Sequence, residues 1–407
     1  MYIRRYLSGT VLEVIKTFKV LYLGGPRQVG KTTLLHHLAK ELAINYVSLD
    51  DIGVRQTAKN DPKLFIEDHP APLLIDEIQY APELLSYIKI KVDASDKRGQ
   101  YWLTGSQQFK VMRNLQESLA GRVGILNLLG LSQGETDEKK PEGKPFLPKK
   151  TRLIDKVTRP VNSQLLFRKI LTGFFPALYL KNHSDLNIFY RSYVQTYMDR
   201  DLREIYGINK TMEFHRFLQL CAGRTGQILS YSDLARDAGV SVHAAKEWID
   251  ILENTMQIYL LRPYYPNLSK RIIKAPKLYF LDTGLATYLT KWQDVDSLKN
   301  GAMAGAFFET LVVAEIIKSY IFRGKEPPVY YFRDKEGHEI DLLIESGRVL
   351  HPIEIKLASQ INTTHSTNLN YLYSQVHGLG QGAIVCLSPE RYRLTEKIEV
   401  VPYSLIN

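Results

Sequence analysis

Apolar runs of three to five residues alternate with helix-length segments over the first 133 residues. The runs that predict strands are Val20–Leu23, Tyr46–Leu49, Leu73–Ile75, Tyr101–Thr104 and Gly124–Leu128. Such nearly continuous apolar runs are typical of strands buried on both faces, and the segments between them are long enough for crossover helices. Residues 1–133 are therefore predicted to form an α/β domain with a mostly parallel sheet.

The pattern changes after residue 133 and divides the remaining chain into four parts. Residues 134–160 are dense in charge and proline, which predicts a mobile linker or a surface insertion. Residues 161–227 have apolar positions three and four apart, which predicts a helical region. Residues 228–290 predict a small mixed module, and residues 301–407 predict a helix, a hairpin and further α/β structure.

Composition narrows the class of protein. The chain has 407 residues, 44% of them hydrophobic and 24% charged, which excludes a largely disordered chain, a collagen-like fibre and a coiled-coil rod. It has two cysteines and no long uncharged apolar stretch, so we expect a cytoplasmic protein without a disulfide framework or a membrane span. The net charge of +10 suits a polyanionic partner, although many soluble proteins are as basic.

A glycine-rich loop lies between the first predicted strand and a helix-forming segment. Residues 25–32 match the full G-x-x-x-x-G-K-[ST] pattern in that setting. The backbone N–H groups of such a loop surround phosphates, the lysine contacts the β- and γ-phosphates, and the hydroxyl binds Mg²⁺. The pattern predicts an ATP and Mg²⁺ site in which Lys31 is catalytic, Thr32 binds the metal, and the nucleotide contacts come from Gly25, Pro26, Arg27, Gln28, Val29, Gly30, Lys31, Thr32 and Thr33.

Two acids end the third predicted strand. Asp76 would complete the Mg²⁺ shell, and Glu77 would act as general base for a water that attacks the γ-phosphate. The adjacent Asp-Glu pair favours hydrolysis over nucleotide storage. Ser106, after the fourth strand, is a candidate γ-phosphate sensor, although an ordinary turn fits there as well. Arg122 is a candidate arginine finger, acting in cis or from a neighbouring subunit, or a plain surface residue.

Several segments together resemble a known family. The sequences GPRQVGKTTLL, SLDD, LLIDEIQYAPELL, LTGSQQ and SLAGR occur in this order, and residues 197–203 also fit. They resemble bacterial and archaeal AAA-type P-loop ATPases that carry a C-terminal domain similar to PD-(D/E)XK nucleases. The resemblance implies that Arg122 is a functional arginine and that Ser106 is the sensor. The insertion at 135–160 looks longer and more polar than is usual in that family.

Residues 230–253 predict two helices separated by a glycine turn. We expect Ser232 and Ser241 to begin the helices as N-caps and Gly239 to lie in the turn. Two strand-like runs then bracket a basic stretch that contains Lys270, Arg271 and Lys274. This is the layout of a winged helix, for which DNA contact and a role as a lid or protein dock are both open.

Two alternating strands near residue 347 predict a hairpin. If its loop has two residues, Asp341 lies opposite Glu354, and Lys356 shares their face. Opposed carboxylates repel unless a cation or proton joins them, so this arrangement favours an Mg²⁺ site. It resembles the PD-(D/E)XK nuclease core, and Glu309 matches the acid of that core's first helix. A solvated hairpin face and a nuclease-like fold kept only for binding are the alternatives.

These observations lead to three functional hypotheses. The first is an Mg²⁺-dependent AAA-type ATPase that works as a switch or motor on DNA or RNA through the winged-helix and restriction-endonuclease-like parts. The second is an ATP-regulated nuclease that uses Glu309, Asp341, Glu354 and Lys356. The third is a signalling or scaffold ATPase with protein partners, and assembly into a homo-oligomer is compatible with each of them.

Overall fold

The computed structural model describes residues 2–105, 115, 118–150, 162–180, 185–196, 211–265 and 274–406, and the backbone of residues 155–156 and 197–198. The first part is a parallel sheet between helices. Its elements are α1 (Leu7–Thr17), β1 (Val20–Gly24), α2 (Lys31–Glu41), β2 (Asn45–Ser48), α3 (Ile52–Asn60), α4 (Pro62–Asp68), β3 (Leu73–Asp76), α5 (Leu84–Asp93), β4 (Tyr101–Thr104) and β5 (Val123–Asn127). The strand order is β2-β3-β4-β1-β5, and all pairings are parallel. The five predicted strands are confirmed to within one residue at each end.

Alternate residues of these strands enter two different cores. Leu21 and Leu23 of β1 pack in a core that includes residues of α1 and α2. Val20 and Tyr22 pack in the other core with residues of α4 and α5. Burial on both faces explains why the strands are apolar throughout. Because the strands are parallel, the loops at their carboxyl ends meet at one edge of the sheet.

The segment after β5 is packed and does not form the expected free linker. Within 134–160, the short helix α6 (Gln133–Thr136) contains the buried Glu135. The backbone N–H of Lys149 donates to the buried Glu399 carboxylate near the other end of the chain, 3.0 Å away. The prediction of a mobile linker is therefore wrong for this segment as far as Lys149, because its polar groups find partners in distant parts of the chain.

The middle of the chain is helical and holds a small antiparallel sheet. Its elements follow β6 (Asp155–Lys156) and are α7 (Ser163–Thr172), α8 (Leu186–Ser192), α9 (Thr211–Ala222), β7 (Gln227–Ile228), α10 (Tyr231–Ala238), α11 (Val242–Asn254), β8 (Ile258–Leu261), β9 (Lys277–Phe280), α12 (Thr283–Leu289) and α13 (Val295–Asn300). The strand order is β7-β9-β8. Helices α9, α10 and α11 pack together beside this sheet. Lys270 and Arg271 of the basic stretch lie outside the described residues.

The helix pair α10–α11 agrees with the sequence except at one cap. Gly239 ends α10 with a φ of +76°, and the Ser241 hydroxyl accepts a hydrogen bond from the Ala244 N–H at 3.1 Å. Ser232 does not begin α10. The N-cap is Ser230, whose hydroxyl accepts from the Asp233 N–H at 3.3 Å. The helix begins two residues earlier than predicted because either serine suits a cap by composition.

The last part of the chain forms a mixed sheet, to which β6 from the earlier part of the chain adds one strand. Its elements are α14 (Ala304–Ile321), β10 (Val329–Arg333), β11 (Glu339–Ser346), β12 (Val349–Ile355), α15 (Thr367–Gln375), β13 (Gly382–Cys386), β14 (Glu390–Arg393) and β15 (Ile398–Pro402). The order is β10-β11-β12-β13-β15-β14-β6. In the hairpin β11–β12, Leu342 pairs with Ile353 and Ser346 with Val349, which is the register predicted for a two-residue loop.

One of the apolar cores connects all the parts of the chain described above. It extends from Leu7 in α1 to Ile406 and includes residues of the helical region, the small sheet and the mixed sheet. The parts are therefore joined by shared packing as well as by the chain. Among the described residues, no helix is both long enough and apolar enough to cross a bilayer.

The corrected cap gives a test of the local structure. Replacing Ser230 with Ala is expected to weaken the first turn of α10 by about 1 kcal/mol, because the Asp233 N–H loses its acceptor. Ser232→Ala is the control and should change little. Hydrogen exchange of the amides of residues 233–236 measures the effect, with roughly fivefold faster exchange expected in S230A. Equal exchange in both variants would contradict the assignment.

Candidate functional site

The glycine-rich loop joins β1 to α2 and leaves no room for side chains at its start. Gly25 has a φ of +131°, and a Cβ there would lie 2.1 Å from the Leu128 carbonyl oxygen. Gly30 has a φ of +89° and begins α2. Both positions require glycine, because L side chains rarely adopt such conformations and the first also lacks space.

Lys31 lies folded over this loop. It is 7% exposed, and its Nζ donates to the carbonyl oxygens of Gly25 at 3.0 Å and Pro26 at 2.7 Å. Backbone carbonyls are weak partners for an ammonium, so a phosphate can replace them with a gain in electrostatic energy. The remaining predicted nucleotide contacts occupy the same turn. Val29 is buried, Arg27 is half-buried, and Gln28 and Thr33 are exposed.

Asp76 is the last residue of β3 and lies beside the loop, where a metal-binding residue is expected. The Thr32 hydroxyl donates to its carboxylate at 3.1 Å, and the Tyr46 hydroxyl does so at 3.4 Å. Burial, followed by the charge of Glu77, raises the pKa of Asp76 to about 6. A buried carboxylate with a raised pKa, next to a threonine hydroxyl, is a donor set that fits Mg²⁺. The residues predicted to hold the metal are thus brought together.

Glu77 follows in an unusual backbone conformation. Its φ is +57°, in the left-handed region, and the Gln79 side-chain amide donates to its carboxylate. A non-glycine residue in this region costs of order 1–3 kcal/mol unless its surroundings hold it there. The carboxylate is half-buried and adjacent in sequence to Asp76. This fixed position suits a group that must hold one water molecule.

Thr104 is a candidate that the sequence did not single out. It ends β4, which lies between β1 and β3, and its side chain is 1% exposed. Its hydroxyl has no hydrogen-bond partner within the part of the chain that the structure describes. The sequence feature that could have indicated Thr104 is its position as the polar residue that ends a buried central strand. Ser106, two residues later, lies outside the described residues.

Arg122 is placed away from the glycine-rich loop. It precedes β5, and its carbonyl accepts a hydrogen bond from Val20 N–H at the start of β1, whereas the loop follows the far end of β1. A five-residue strand separates these two edges by about 13 Å. Arg122 also forms an ion pair with Asp93. A role in cis is therefore wrong, and a role from a neighbouring subunit stays a prediction.

A second cluster of charged side chains lies on the hairpin β11–β12. Lys356 Nζ is 2.5 Å from the Glu354 carboxylate and 3.7 Å from that of Asp341. Asp341 also accepts a hydrogen bond from the Ile355 N–H at 2.8 Å. Burial, and then the charge of Asp341, raises the pKa of Glu354 to about 8. The three residues predicted from the hairpin pattern are thus brought together.

Glu309 of α14 joins this cluster through two residues that sequence reasoning missed. Lys277 Nζ lies 3.5 Å from Glu309 and 2.5 Å from Glu339, and its side chain is 4% exposed. The Tyr279 hydroxyl donates to Glu309 at 2.5 Å. Both missed residues belong to β9 of the small sheet. Strand alternation could have placed Lys277 and Tyr279 on one face, but no local signal placed that face against α14.

No three of the acids that the structure describes in this cluster lie within metal-ligand reach of one another, although Asp341 and Glu354 interact directly. The only group of three among the described residues with ligand atoms within 4.8 Å of one another is Asp334, Glu336 and His338, in the loop before β11. Lys277 and Lys356 balance much of the negative charge that Mg²⁺ was expected to balance. One oxygen of the buried Glu354 carboxylate still has no hydrogen-bond partner in the described part of the chain.

The surface of α11 carries charges of both signs. His243 lies 3.4 Å from Glu247 on the exposed side, and Lys246 lies near the ring of Tyr231, 5.8 Å from its centroid. Lys274, before β9, is exposed. This face is not uniformly basic, so its charge does not distinguish a nucleic-acid contact from a protein contact.

Comparison with known proteins bears on the domain that holds the first of these sites. A family model described as an AAA domain matches residues 17–136. This part of the chain is an AAA-type P-loop ATPase domain. Two further models, both described as domains of unknown function, match residues 163–296 and 304–406. Neither description names an activity, so the winged-helix and nuclease-like interpretations gain no support from them.

Relatives of the whole chain are also known. Uncharacterized proteins of Mycobacterium tuberculosis and Mycobacterium bovis are each 26% identical over 400 residues, covering 98% of this chain and 83% of the relative. Among solved structures, a Walker-type ATPase of Pyrococcus abyssi aligns at 14% identity over 71% of this chain and 96% of its own, with a TM-score of 0.45.

A second solved structure is the RuvB Holliday junction branch migration motor of Thermotoga maritima. It aligns at 18% identity over 62% of this chain and 88% of its own, with a TM-score of 0.28. Both TM-scores lie under 0.5, so neither likeness carries an argument about this protein. The assignment of the ATPase domain depends on the family match and on the geometry of the loop.

The charge balance around Lys277 gives a test of the second cluster. Replacing Lys277 with Met should lower the free energy of unfolding by about 3 to 5 kcal/mol at pH 8, because Glu309 and Glu339 lose their buried cation. Burial, and then the charge of Asp341, raises the pKa of Glu309 to about 7. The free energy of unfolding therefore falls as the pH rises from the ordinary pKa of a glutamate through 7, because the folded protein loses a proton that the unfolded chain has already released. The loss should be smaller at pH 5, where Glu309 is protonated.

Thermal unfolding at both pH values measures this difference. Lys274→Met is the matched control, since Lys274 is exposed and only three residues away. The control should match the unaltered protein at both pH values. An equal loss for K277M at pH 5 and pH 8 would contradict the assigned charge balance.

Proposed function

We propose that the chain is an Mg²⁺-dependent ATP hydrolase. The observation that carries this proposal is the arrangement at the carboxyl edge of the parallel sheet. There the buried Lys31 ammonium rests on replaceable carbonyls, and Thr32 is hydrogen-bonded to Asp76. Few other ligands require a loop of N–H groups, a cation and a hydroxyl–carboxylate pair together.

Each residue has a separate part in this proposal. The loop from Gly25 to Thr33 holds the phosphates, and Lys31 takes up negative charge on the β- and γ-phosphates. Thr32 and Asp76 would hold Mg²⁺, which supplies positive charge to the phosphate oxygens when bound. Glu77 accepts the proton of the water that attacks the γ-phosphorus, while the bond to the β-phosphate oxygen breaks.

Ser106 and Arg122 complete the proposed reaction machinery. Ser106 would contact the γ-phosphate. Arg122 would act on the nucleotide of a second copy of the chain, since its own loop lies at the opposite edge of the sheet. Its pairing with Asp93 on the surface is compatible with that role, because an exposed ion pair is weak enough to be exchanged. The proposal thus includes a homo-oligomer.

The rest of the chain makes a nucleotide-driven switch the best overall proposal. The ATPase domain shares a continuous core with the small sheet and the mixed sheet, so a change at the nucleotide can alter how those parts sit. The layout of α10, α11, β8 and β9 supports a winged-helix-like module. We propose nucleic acid as its partner, with a protein partner as the outcome to be distinguished by salt dependence.

Substitution of the two central side chains tests ATP hydrolysis. Lys31→Ala should abolish binding of a fluorescent Mg-ATP analogue, because the phosphate charge loses its cation. Glu77→Gln should bind the analogue normally while its kcat falls by at least about 100-fold, as expected on removal of a general base. Lys40→Ala and Glu83→Gln, both exposed, are the matched controls. Hydrolysis at the unaltered rate in K31A would refute the proposal.

A nuclease is the second candidate, favoured by the assembly of Glu309, Asp341, Glu354 and Lys356 and by the unpartnered Glu354 oxygen. Asp341 and Glu354 interact directly as they stand, so a metal ion in such an activity would be held by these two acids beside Lys356. Plasmid cleavage with Mg²⁺ or Mn²⁺, with and without ATP, tests it. Asp341→Ala should then abolish cleavage, whereas the exposed control Glu396→Ala should not. Absence of cleavage by the unaltered chain would reject this candidate.

A further inference from the structure

Arg5 lies against the outer side of the glycine-rich loop. It precedes α1, is 4% exposed, and directs its guanidinium at four acceptors of the ATPase domain. Its Nη1 donates to the Val29 carbonyl at 2.6 Å, and its Nη2 donates to the carbonyls of Leu129 at 2.7 Å and Gly130 at 3.3 Å. Its Nε donates to Glu135 at 3.1 Å. A planar fork with fixed donors is the side chain best able to hold several acceptors in one geometry.

The contact with Val29 fixes the orientation of one peptide plane. The peptide bond between Val29 and Gly30 is trans, so the Val29 carbonyl and the Gly30 N–H point in opposite directions. Because Arg5 holds the carbonyl on the outer side, the Gly30 N–H is turned to the inner side. That is the side on which an N–H group of such a loop meets phosphate.

Arg5 is itself held firmly. One oxygen of Glu135 accepts from Arg5 and from the Tyr6 N–H at 2.6 Å, and the other oxygen accepts from the Ser132 N–H at 2.8 Å. The negative charge of Glu135 balances the positive charge of Arg5, so the pair adds little net electrostatic potential at the loop. Its effect on the loop must therefore come from geometry.

We propose that Arg5 is a positioning residue for the phosphate loop. It fixes the Val29–Gly30 peptide so that the Gly30 N–H faces the nucleotide phosphates. The inference rests on the proposed ATP hydrolase function for its nucleotide readout. The loop is then held on two sides, by Arg5 at Val29 and by the Leu128 N–H, which donates to the Gly24 carbonyl at 2.9 Å.

The first measurement does not require nucleotide. The dipeptide Val-Gly occurs only at 29–30 and 123–124, so labelling with carbonyl-¹³C valine and ¹⁵N glycine yields two amide signals in a carbonyl-correlated spectrum. In Arg5→Lys the Gly30 signal should shift or broaden, because an ammonium has three N–H donors and cannot hold all four acceptors. The Gly124 signal, from β5, should stay in place and serves as the internal control.

The second measurement is binding and turnover of Mg-ATP. Arg5→Lys should raise Kd and KM about tenfold or more and change kcat less, since the N–H contact is made to bound phosphate throughout the reaction. Arg4→Lys is the matched control, because Arg4 is the neighbouring arginine and is exposed. It should bind Mg-ATP within about twofold of the unaltered protein.

The outcomes separate the two proposals. An unshifted Gly30 signal with unchanged Kd in Arg5→Lys overturns the positioning role. An equal rise in Kd for Arg5→Lys and Arg4→Lys also overturns it, because the effect would then not depend on the contact with Val29. If the Gly30 signal shifts in Arg5→Lys but the unaltered protein binds no Mg-ATP, the positioning of the peptide by Arg5 stands and the proposed ATP hydrolysis is refuted. If Arg5→Lys does not fold, Arg5→Gln is measured with the same expectations.

Discussion

A charge that leaves water must find an opposite charge or a full set of hydrogen bonds, and this requirement determines how the parts of the chain meet. Arg5 and Glu135 pair across the back of the phosphate loop. Glu315 and Lys318 of α14 pair in the core and also bind the backbone at Gln133 and Leu131. Buried pairs of this kind add little net stability, but a partner out of place leaves a charge exposed to an apolar interior. They therefore select one arrangement of the parts.

Helix α14 connects two of these charged groups. Its first half carries Glu309 to Lys277 and Tyr279, and its second half carries Glu315 and Lys318 to the segment that follows the ATPase sheet. Six residues of helix span about 9 Å, a distance over which a helix is stiff. A shift of the segment near Gln133 would therefore be transmitted to Glu309. This gives the proposed nucleotide-driven switch a physical connection from the ATPase domain to the hairpin cluster.

The features that the sequence revealed are those set by neighbouring residues. The apolar runs indicated each strand of the parallel sheet, the loop pattern located Lys31 and Thr32, and strand alternation gave the register of the hairpin β11–β12. The features it did not reveal depend on contacts between distant segments. Lys277 lies in an ordinary strand pattern, and only its packing against α14 makes it a partner of Glu309. The edge that Arg122 occupies could, by contrast, have been predicted, because Arg122 directly precedes a strand of the parallel sheet whereas the glycine-rich loop follows one.

One strand pairing bears on how this protein is handled in the laboratory. The outermost strand of the seven-stranded sheet, β6, comes from residues 155–156 and covers the edge of β14. Recombinant expression of the C-terminal unit from residue 304 would remove that cover and the Lys149 amide that binds Glu399. Unpaired edges invite association with other chains. Precipitation of such a truncated product would therefore reflect both the missing strand and the apolar core surface that the truncation exposes. Boundaries that retain residues 149–156 would keep the edge of β14 covered.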